Sequence, residues 1–433
     1  MAHSWGEGRR QQRMTAFSPL RPPCPSPTCP SPRLAAATLL VSATLTVMAG
    51  ATIAPCLPAL RAHFADTPNI DLWVRLVLSL PALAIALSSP PIGLLIDRRG
   101  RVPVLQASLV LYALAGTSGL VVDSLWALLA GRLVLGVAVA GILTSSTALI
   151  ADAYDGPRRA RFLGLQGAFM GFGGVLFLSL GGILAEAGWR WPFAVYLLSL
   201  PVLPGAILGL HDGTPLARQP AAAIVADKVP WAPLARIYAV TFLAMVVFYL
   251  VPTQIPFLLQ ALSGSGASTA GLAIAAGALV SAAVSLLYGR VARRVGYPAI
   301  AAASLALLAA GFLVVGEAES TAGVVAGLAV CGLGTGLIMP NGAQWLITTV
   351  PASLRGRSLG ALNSAIFLGQ FVSPVMVHLF LSDDGPAHAF LVVAGGAAFA
   401  GAALALQAGV ADGRRRRRRT ANGGRRRDDG TEA

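Results

Sequence analysis

The chain has 433 residues, of which 55% are hydrophobic and only 12% charged. Soluble globular proteins carry about 25% charged residues, so this composition excludes both an unfolded chain and an ordinary soluble enzyme. Basic residues exceed acidic ones by 14. The excess is concentrated at the ends: residues 1–33 hold five Arg and one Glu, and residues 412–433 hold nine Arg and four acids. A basic balance carried by two tails does not describe a nucleic-acid-binding fold.

A charge at the centre of a bilayer costs about 2.5–3.5 kcal/mol or more, so membrane spans stand out as gaps between charges. Gaps of at least 19 residues fall at 34–60, 76–96, 102–122, 133–151, 162–185, 191–211, 237–289, 295–316, 320–354, 358–382 and 385–411. A helix needs roughly 20 apolar residues to cross hydrocarbon. The window 237–289 is long enough for two helices, divided at Ser263-Gly264-Ser265-Gly266-Ala267-Ser268, a turn composition. The windows are continuously apolar rather than alternating, which predicts helices and not a barrel. Twelve transmembrane helices follow, numbered spans 1 to 12 in chain order.

With the N-terminus in the cytoplasm, 28 of the 32 basic residues fall on cytoplasmic segments, leaving Arg61, Arg75, Arg132 and Arg190. The outer loops carry Asp66, Asp71, Asp123, Glu186, Glu317, Glu319, Asp383 and Asp384. A single miscounted span would invert every later loop, so the positive-inside rule supports twelve spans with both termini cytoplasmic. The Pro-rich stretch 1–33 has no signal-peptide core and reads as a disordered tail, with the start open between Met1 and Met14. Cys24 and Cys29 lie in it without companion ligands, and Cys56 and Cys331 fall within spans as packing residues. The Arg414–Arg419 run belongs to a second disordered tail, 412–433, suited to anionic lipid.

The chain repeats itself at an offset of 196. Gly93 to Gly100 after span 2 corresponds to Gly289 to Gly296 after span 8. Gly131 and Gly136 of span 4 correspond to Gly327 and Gly332 of span 10, and Arg161 and Gly164 to Arg357 and Gly360. The expected organisation is two six-helix bundles, 34–211 and 234–411, joined by a cytoplasmic linker, 212–233. Parallel halves with a site between them suit rocking-type transport.

These motifs resemble the major facilitator superfamily over residues 34 to 411. Gly93, Leu95, Asp97, Arg98, Gly100 and Arg101 look like its loop 2–3 signature, and Arg132 with Gly136 like its span-4 motif. Trp189-Arg190-Trp191-Pro192-Phe193 before span 6, and Pro55 with Pro58 ending span 1, are similar to bacterial exporter members. The sequence departs from the pattern at Val102, where a second basic residue is common. It departs again at Phe177-Leu178, where the antiporter signature has Gly-Pro. The resemblance implies an all-α fold and a relay of Asp97, Arg101 and Asp152 that holds the outward-open state shut on its inner side. The alternative is a solvated loop that only sets topology.

Arg132 lies about eight residues, or roughly 12 Å, into span 4. An intramembrane arginine is a functional candidate, for an anionic substrate group or for proton transfer. The alternative is snorkelling to the outer interface beside Asp123 or Asp71. No Asp or Glu falls at mid-membrane, which favours neutral, amphiphilic or anionic substrates over cations. By analogy with the family, spans 1, 4, 7 and 10 line the cavity. Candidates there are Thr44, Thr52, Thr144, Phe248, Tyr249, Gln254, Asn341, Gln344 and Trp345. Each has a packing alternative. Pro252, Pro256 and Pro340 either break spans 7 and 10 or are tolerated kinks. Small residues at Gly277, Ser281, Ser285 and Gly289 of span 8, and at Gly167 and Gly171 of span 5, predict a close seam between the halves.

The expected function is a proton-coupled secondary transporter of the inner or plasma membrane. It exports small amphiphilic molecules by alternating access. Metabolite uptake, facilitated diffusion and a non-transporting sensor are the alternatives. The expected partners are a small-molecule substrate, the lipid bilayer and protons, with no nucleic acid and a monomeric state. No enzyme motif, metal cluster or cofactor loop is present in the sequence, so no cofactor is expected.

Overall fold

The computed structural model describes residues 32–154, 156–210, 230–351, 354–381 and 385–428. Among these, twelve helices are long and apolar enough to cross a membrane. Spans 1 to 6 run Arg33–His63, Ile70–Arg99, Arg101–Val121, Leu125–Ala153, Arg161–Ala187 and Trp191–Leu208. Spans 7 to 12 run Trp231–Ser263, Ala267–Ala292, Tyr297–Gly316, Thr321–Thr349, Arg357–Leu379 and Gly385–Gln407. Their number and places agree with the charge-free windows. Residues 1–31, with Met14, Cys24 and Cys29, lie outside the described residues, as do 211–229 of the linker and Asp383 and Asp384.

Local chemistry explains the breaks. Gly100 (φ 91°) and Gly264 (φ 59°) adopt backbone that glycine favours and separate spans 2 from 3 and 7 from 8. Span 1 does not end at Pro55 and Pro58. It passes through a 3₁₀ turn, Ala54–Cys56, and continues as Leu57–His63, because a proline at the start of a helical segment loses no internal bond. Span 7 is interrupted at Tyr249, between Trp231–Phe248 and Leu250–Ser263. Pro252 has no N–H for the Phe248 carbonyl. Pro340, in contrast, lies inside the uninterrupted helix of span 10. The last helix runs on to Asp428, through the arginine run, so the tail from 412, expected to be disordered, is helical over 412–428. Arg and Ala are good helix formers, which lets the helix outlast its apolar stretch.

The internal repeat is expressed as packing. A methyl on Gly136 would stand 2.5 Å from the Pro81 carbonyl oxygen and 2.6 Å from Ala84 Cβ. A methyl on Gly332 would stand 2.5 Å from the Gly277 oxygen and 2.9 Å from Val280 Cβ. Every member of the second set is displaced from the first by 196. Span 4 therefore crosses span 2 as span 10 crosses span 8, with backbones in contact.

That crossing also corrects the reading of the span 8 stripe. Gly277, Ser281 and Ser285 face span 10 within the same half: Gly336 sits on Ser281, and Ser285 Oγ donates to the Gly336 oxygen at 2.9 Å. Spans 5 and 8 do pack across the halves, with Gly171 and Gly289 among the expected residues on that line and the rest contributed by others. On span 8 the seam runs Gly271, Ala282, Gly289. On span 5 it runs Gly182, Gly171, Gly164. Seven- and eleven-residue steps keep each set on one helix face. A methyl on Gly271 would collide with the Leu178 carbonyl, and one on Gly182 would lie 2.7 Å from the Ala267 oxygen. Midway, a methyl on Gly171 would clear Ala282 Cβ by 3.8 Å. At Gly164, Gly167 and Gly289 it would meet nothing within 4 Å. The two helices touch at one end and diverge over about 27 Å of length, forming a V that opens toward the arginine-rich face.

Candidate transport pathway

The closed end of the V is held by contacts from both halves. Arg75, about one and a half turns into span 2, donates from Nη2 to Gln254 Oε1 of span 7 at 3.3 Å. Its guanidinium lies 4.9 Å from the centre of the Phe257 ring. Tyr249 donates its hydroxyl to the Leu78 carbonyl at 3.2 Å, and Ser268 of span 8 donates to Glu186 at the end of span 5. The turn of span 1 packs on the second segment of span 7. Arg75 is a charge that the sequence windows concealed, since it bounds the window 76–96 instead of interrupting one. Its signal was Asp71, four residues earlier on the same helix face.

The same face carries a clasp within the N-terminal half. Arg190 Nη1 donates to the Val122 carbonyl at 3.1 Å and reaches those of Gly119 and Leu120 at 3.4–3.5 Å. It thereby satisfies carbonyls that the end of span 3 leaves open. Its Nη2 contacts Asp123 at 2.5 Å, and His63 Nε2 lies 3.0 Å from the same carboxylate. The His63 hydrogen bond, followed by the Arg190 charge, holds the Asp123 carboxyl below the ordinary carboxylate range. Asp123 and Asp71 are thus engaged at the surface, Asp71 by Arg61 at 2.7 Å. Neither pairs with Arg132.

Arg132 is fully enclosed, at 0% exposure. It does not snorkel. Its Nη1 donates to the Tyr196 hydroxyl at 2.8 Å, and that hydroxyl donates on to the Ala49 carbonyl at 2.8 Å. The guanidinium carbon lies 4.6 Å from the Phe193 ring centre and 5.0 Å from that of Tyr196. Residues 191–199 of span 6 form a 3₁₀ helix, in which positions three apart eclipse. Phe193, Tyr196 and Ser199 therefore line up on one buried edge. Gly116 and Gly119 of span 3 leave the room: a methyl on either would run into Tyr196 or Phe193. Arg132 Nε and Nη2 are buried without acceptors among the described residues. Each ring face contributes about 0.5–2 kcal/mol to holding the cation. The cluster ties spans 1, 4 and 6 together, with the arginine closed off from the surface. Gly136, next on the span-4 motif, serves the crossing with span 2.

At the arginine-rich face, Arg101 is ion-paired to Asp152, fastening loop 2–3 to the end of span 4. Asp97, Arg98 and Arg99 are exposed, and Asp97 makes no ion pair among the described residues. Gly93 has open space around it and Gly100 makes the turn.

The cavity candidates divide. Thr52 is wholly buried, bonded to the Met48 carbonyl, with its backbone against Gly181 of span 5. Asn341, 1% exposed, donates to the Tyr297 carbonyl and accepts from Tyr288, facing spans 8 and 9. Both serve helix packing, since a buried amide or hydroxyl takes the nearest partner available. Thr44 is half-buried against Gly173, and Thr144 and Phe248 are half-buried. Gln344 is exposed. Trp345 is buried, with the Arg236 guanidinium 5.4 Å from its ring. Tyr249 and Gln254 belong to the closure described above. Among the described residues no Asp or Glu is buried, and no group of three or more His, Cys, Asp or Glu side chains is placed to hold a metal.

The sequence profile of the Major Facilitator Superfamily matches residues 39–374 and 237–427. The tetracycline resistance protein, class C, of Escherichia coli is 31% identical over 359 residues, covering 78% of this chain and 87% of that protein. The class G protein of Vibrio anguillarum is 29% identical over 359 residues, covering 79% and 89%. Among solved structures, the human organic anion transporter MFSD10 (TETRAN) superposes with a TM-score of 0.65 at 21% identity, covering 87% of this chain and 99% of that one. A bacterial homolog of the human lysosomal transporter Spinster, inward-facing and occupied, gives 0.67 at 15% identity, covering 86% and 94%. At these identities the structures speak to the fold alone. The chain belongs to the Major Facilitator Superfamily, a class of multi-pass membrane transporters of small molecules.

Proposed function

We propose that this protein exports small amphiphilic molecules by alternating access, driven by a proton gradient. The observation that carries the reading is the V between spans 5 and 8, closed at Gly182 and Gly271 and open at Gly164 and Gly289. With the arginine-rich face in the cytoplasm, as charge placement argues, this is an inward-open carrier. A solute enters from the cytoplasm or the inner leaflet, and rocking about the seam then opens the other face.

We assign the inner gate to Asp97, Arg101 and Asp152, as the family resemblance implies. Arg101 and Asp152 keep loop 2–3 seated. When the inner ends converge, the exposed Asp97 meets the start of span 11 near Arg357, whose helix N-terminus favours a carboxylate. Substrates are neutral or anionic amphiphiles, because a fixed cation finds no buried carboxylate among the described residues to offset its desolvation. Likeness to tetracycline resistance proteins over most of the chain supports drug-sized, partly polar solutes. The carboxylates we assign to carry protons are two of those at cytoplasmic span ends, Asp97 and Asp152. The protein acts as a monomer in the inner or plasma membrane, with both termini in the cytoplasm.

The test is a proteoliposome assay with an imposed pH gradient and a panel of neutral, anionic and cationic amphiphiles. Gradient-dependent movement of the first two classes is expected, with Asp97→Asn lowering the rate at least tenfold at equal membrane abundance. Gradient-independent movement contradicts proton coupling, and failure to move any solute contradicts transport.

A further inference from the structure

Arg75 and Gln254 come from opposite halves of the molecule and meet where the V is closed. We propose that this pair is a release latch, with Arg75 as the positioning residue that sets the balance between the two open states of the carrier. The proposal rests on the alternating-access reading and goes beyond it by assigning the element that holds one state.

Four observations support a latch over a permanent strut. First, the contact is made by long side chains, one from span 2 and one from span 7, so a modest separation of the outer ends breaks it. Second, it is dry. The Arg75 side chain is 12% exposed and Gln254 only 1%, so water does not compete for the bond while the halves are together. Third, one edge of Arg75 remains for the other half: Nη1 donates to the Asp71 carbonyl at 2.8 Å on its own helix, while Nη2 reaches across to span 7. Asp71, its neighbour one turn earlier, is taken by Arg61 at 2.7 Å and stands 3.8 Å from Arg75. The guanidinium thus turns its Nη2 edge to Gln254 and one face to Phe257, three residues further along the same helix face of span 7.

Fourth, the contact is incomplete. Arg75 Nε and Gln254 Nε2 are both buried without an acceptor among the described residues. Two donors held dry and unpaired oppose the bond that holds them, and parting the halves returns both to water. Such a pair holds the face shut without making closure irreversible. Tyr249, at the break in span 7, donates to Leu78 about one helical turn deeper and marks where the released segment would pivot.

The experiment measures distances between nitroxides in the full-length protein in nanodiscs, with Cys24 and Cys29 replaced by Ser. Labels at Asp66 and Ser263 report on the two halves at the latched face, both positions being exposed. The unsubstituted latch is expected to give mainly the short distance. Arg75→Gln and Gln254→Leu should each raise the ratio of long to short distances at least tenfold, with the double variant no further shifted than either single one. Gln254→Glu, which converts the pair to an ion pair, should suppress the long distance, and Arg75→Lys should restore the short one only partly. Wild-type distributions in folded Arg75→Gln and Gln254→Leu overturn the latch. Should those variants fail to fold, a Gln254→Glu protein that opens as readily as wild type overturns it equally. A wild-type pair that stays closed with every solute and pH while the variants open supports the latch and contradicts the transport cycle instead.

Discussion

A guanidinium without a carboxylate depends on what covers its faces. Around Arg132 the cover is Phe193 and Tyr196, and among the described residues its one hydrogen-bond partner is the Tyr196 hydroxyl. Tyr196→Phe strands a third buried donor and should lower stability by about 1–3 kcal/mol, read as thermal unfolding of the purified protein. Arg132→Met, close in volume and uncharged, should cost less than Tyr196→Phe, since a buried charge often contributes little net stability. The reverse order would contradict the cage. At Asp123 the sign of the pH effect is fixed. The folded carboxyl is held below its unfolded range, so the clasp stabilises above about pH 4 and is lost as the medium acidifies through the depressed value. Wild type should therefore unfold at a higher temperature than Asp123→Asn at neutral pH, and the two midpoints should converge in strong acid. Arg132 was legible in the sequence because it is a charge well inside a span, where charge is costly. Its cage was not, because the alignment of Phe193 with Tyr196 arises from 3₁₀ winding that no residue type announces. Arg75 escaped notice because a charge at a window edge looks like a loop.

At the scale of helices, the crossings are set by backbone approach. Gly136→Val and Gly332→Val insert side chains against equivalent carbonyls, Pro81 and Gly277. Each should cost about 1–3 kcal/mol, and the double variant should show the sum, since the sites lie in separate halves. A much larger loss at one site would contradict the repeat as a packing unit. The span count was readable because hydrocarbon excludes charge. The neighbours were not: small-residue spacing at Gly277, Ser281 and Ser285 announces a close partner without naming it. The partner is span 10, whereas the seam with span 5 uses Gly271 and Gly182. Gly271→Ala should impair transport by wedging the closed end, while Gly289→Ala should be near neutral in the described state. Uptake assays at matched protein levels separate the two.

On the proposed reading the whole molecule works as a hinge of two six-helix halves, in contact at one end of the seam between spans 5 and 8. The glycines that touch at Gly182 and Gly271 and stand clear at Gly164 and Gly289 give the hinge its direction. Arg75, Gln254, Tyr249 and Glu186 hold it there. The most direct measurement compares two label pairs in the same membrane-embedded protein, one at Gly164 and Gly289, the other at Asp66 and Ser263. The first pair should be far apart and the second close at rest, and a transported solute with a pH gradient should shorten the first while lengthening the second. Two pairs that move in the same sense, or not at all while solute is moved, would contradict a carrier that opens its two faces in turn.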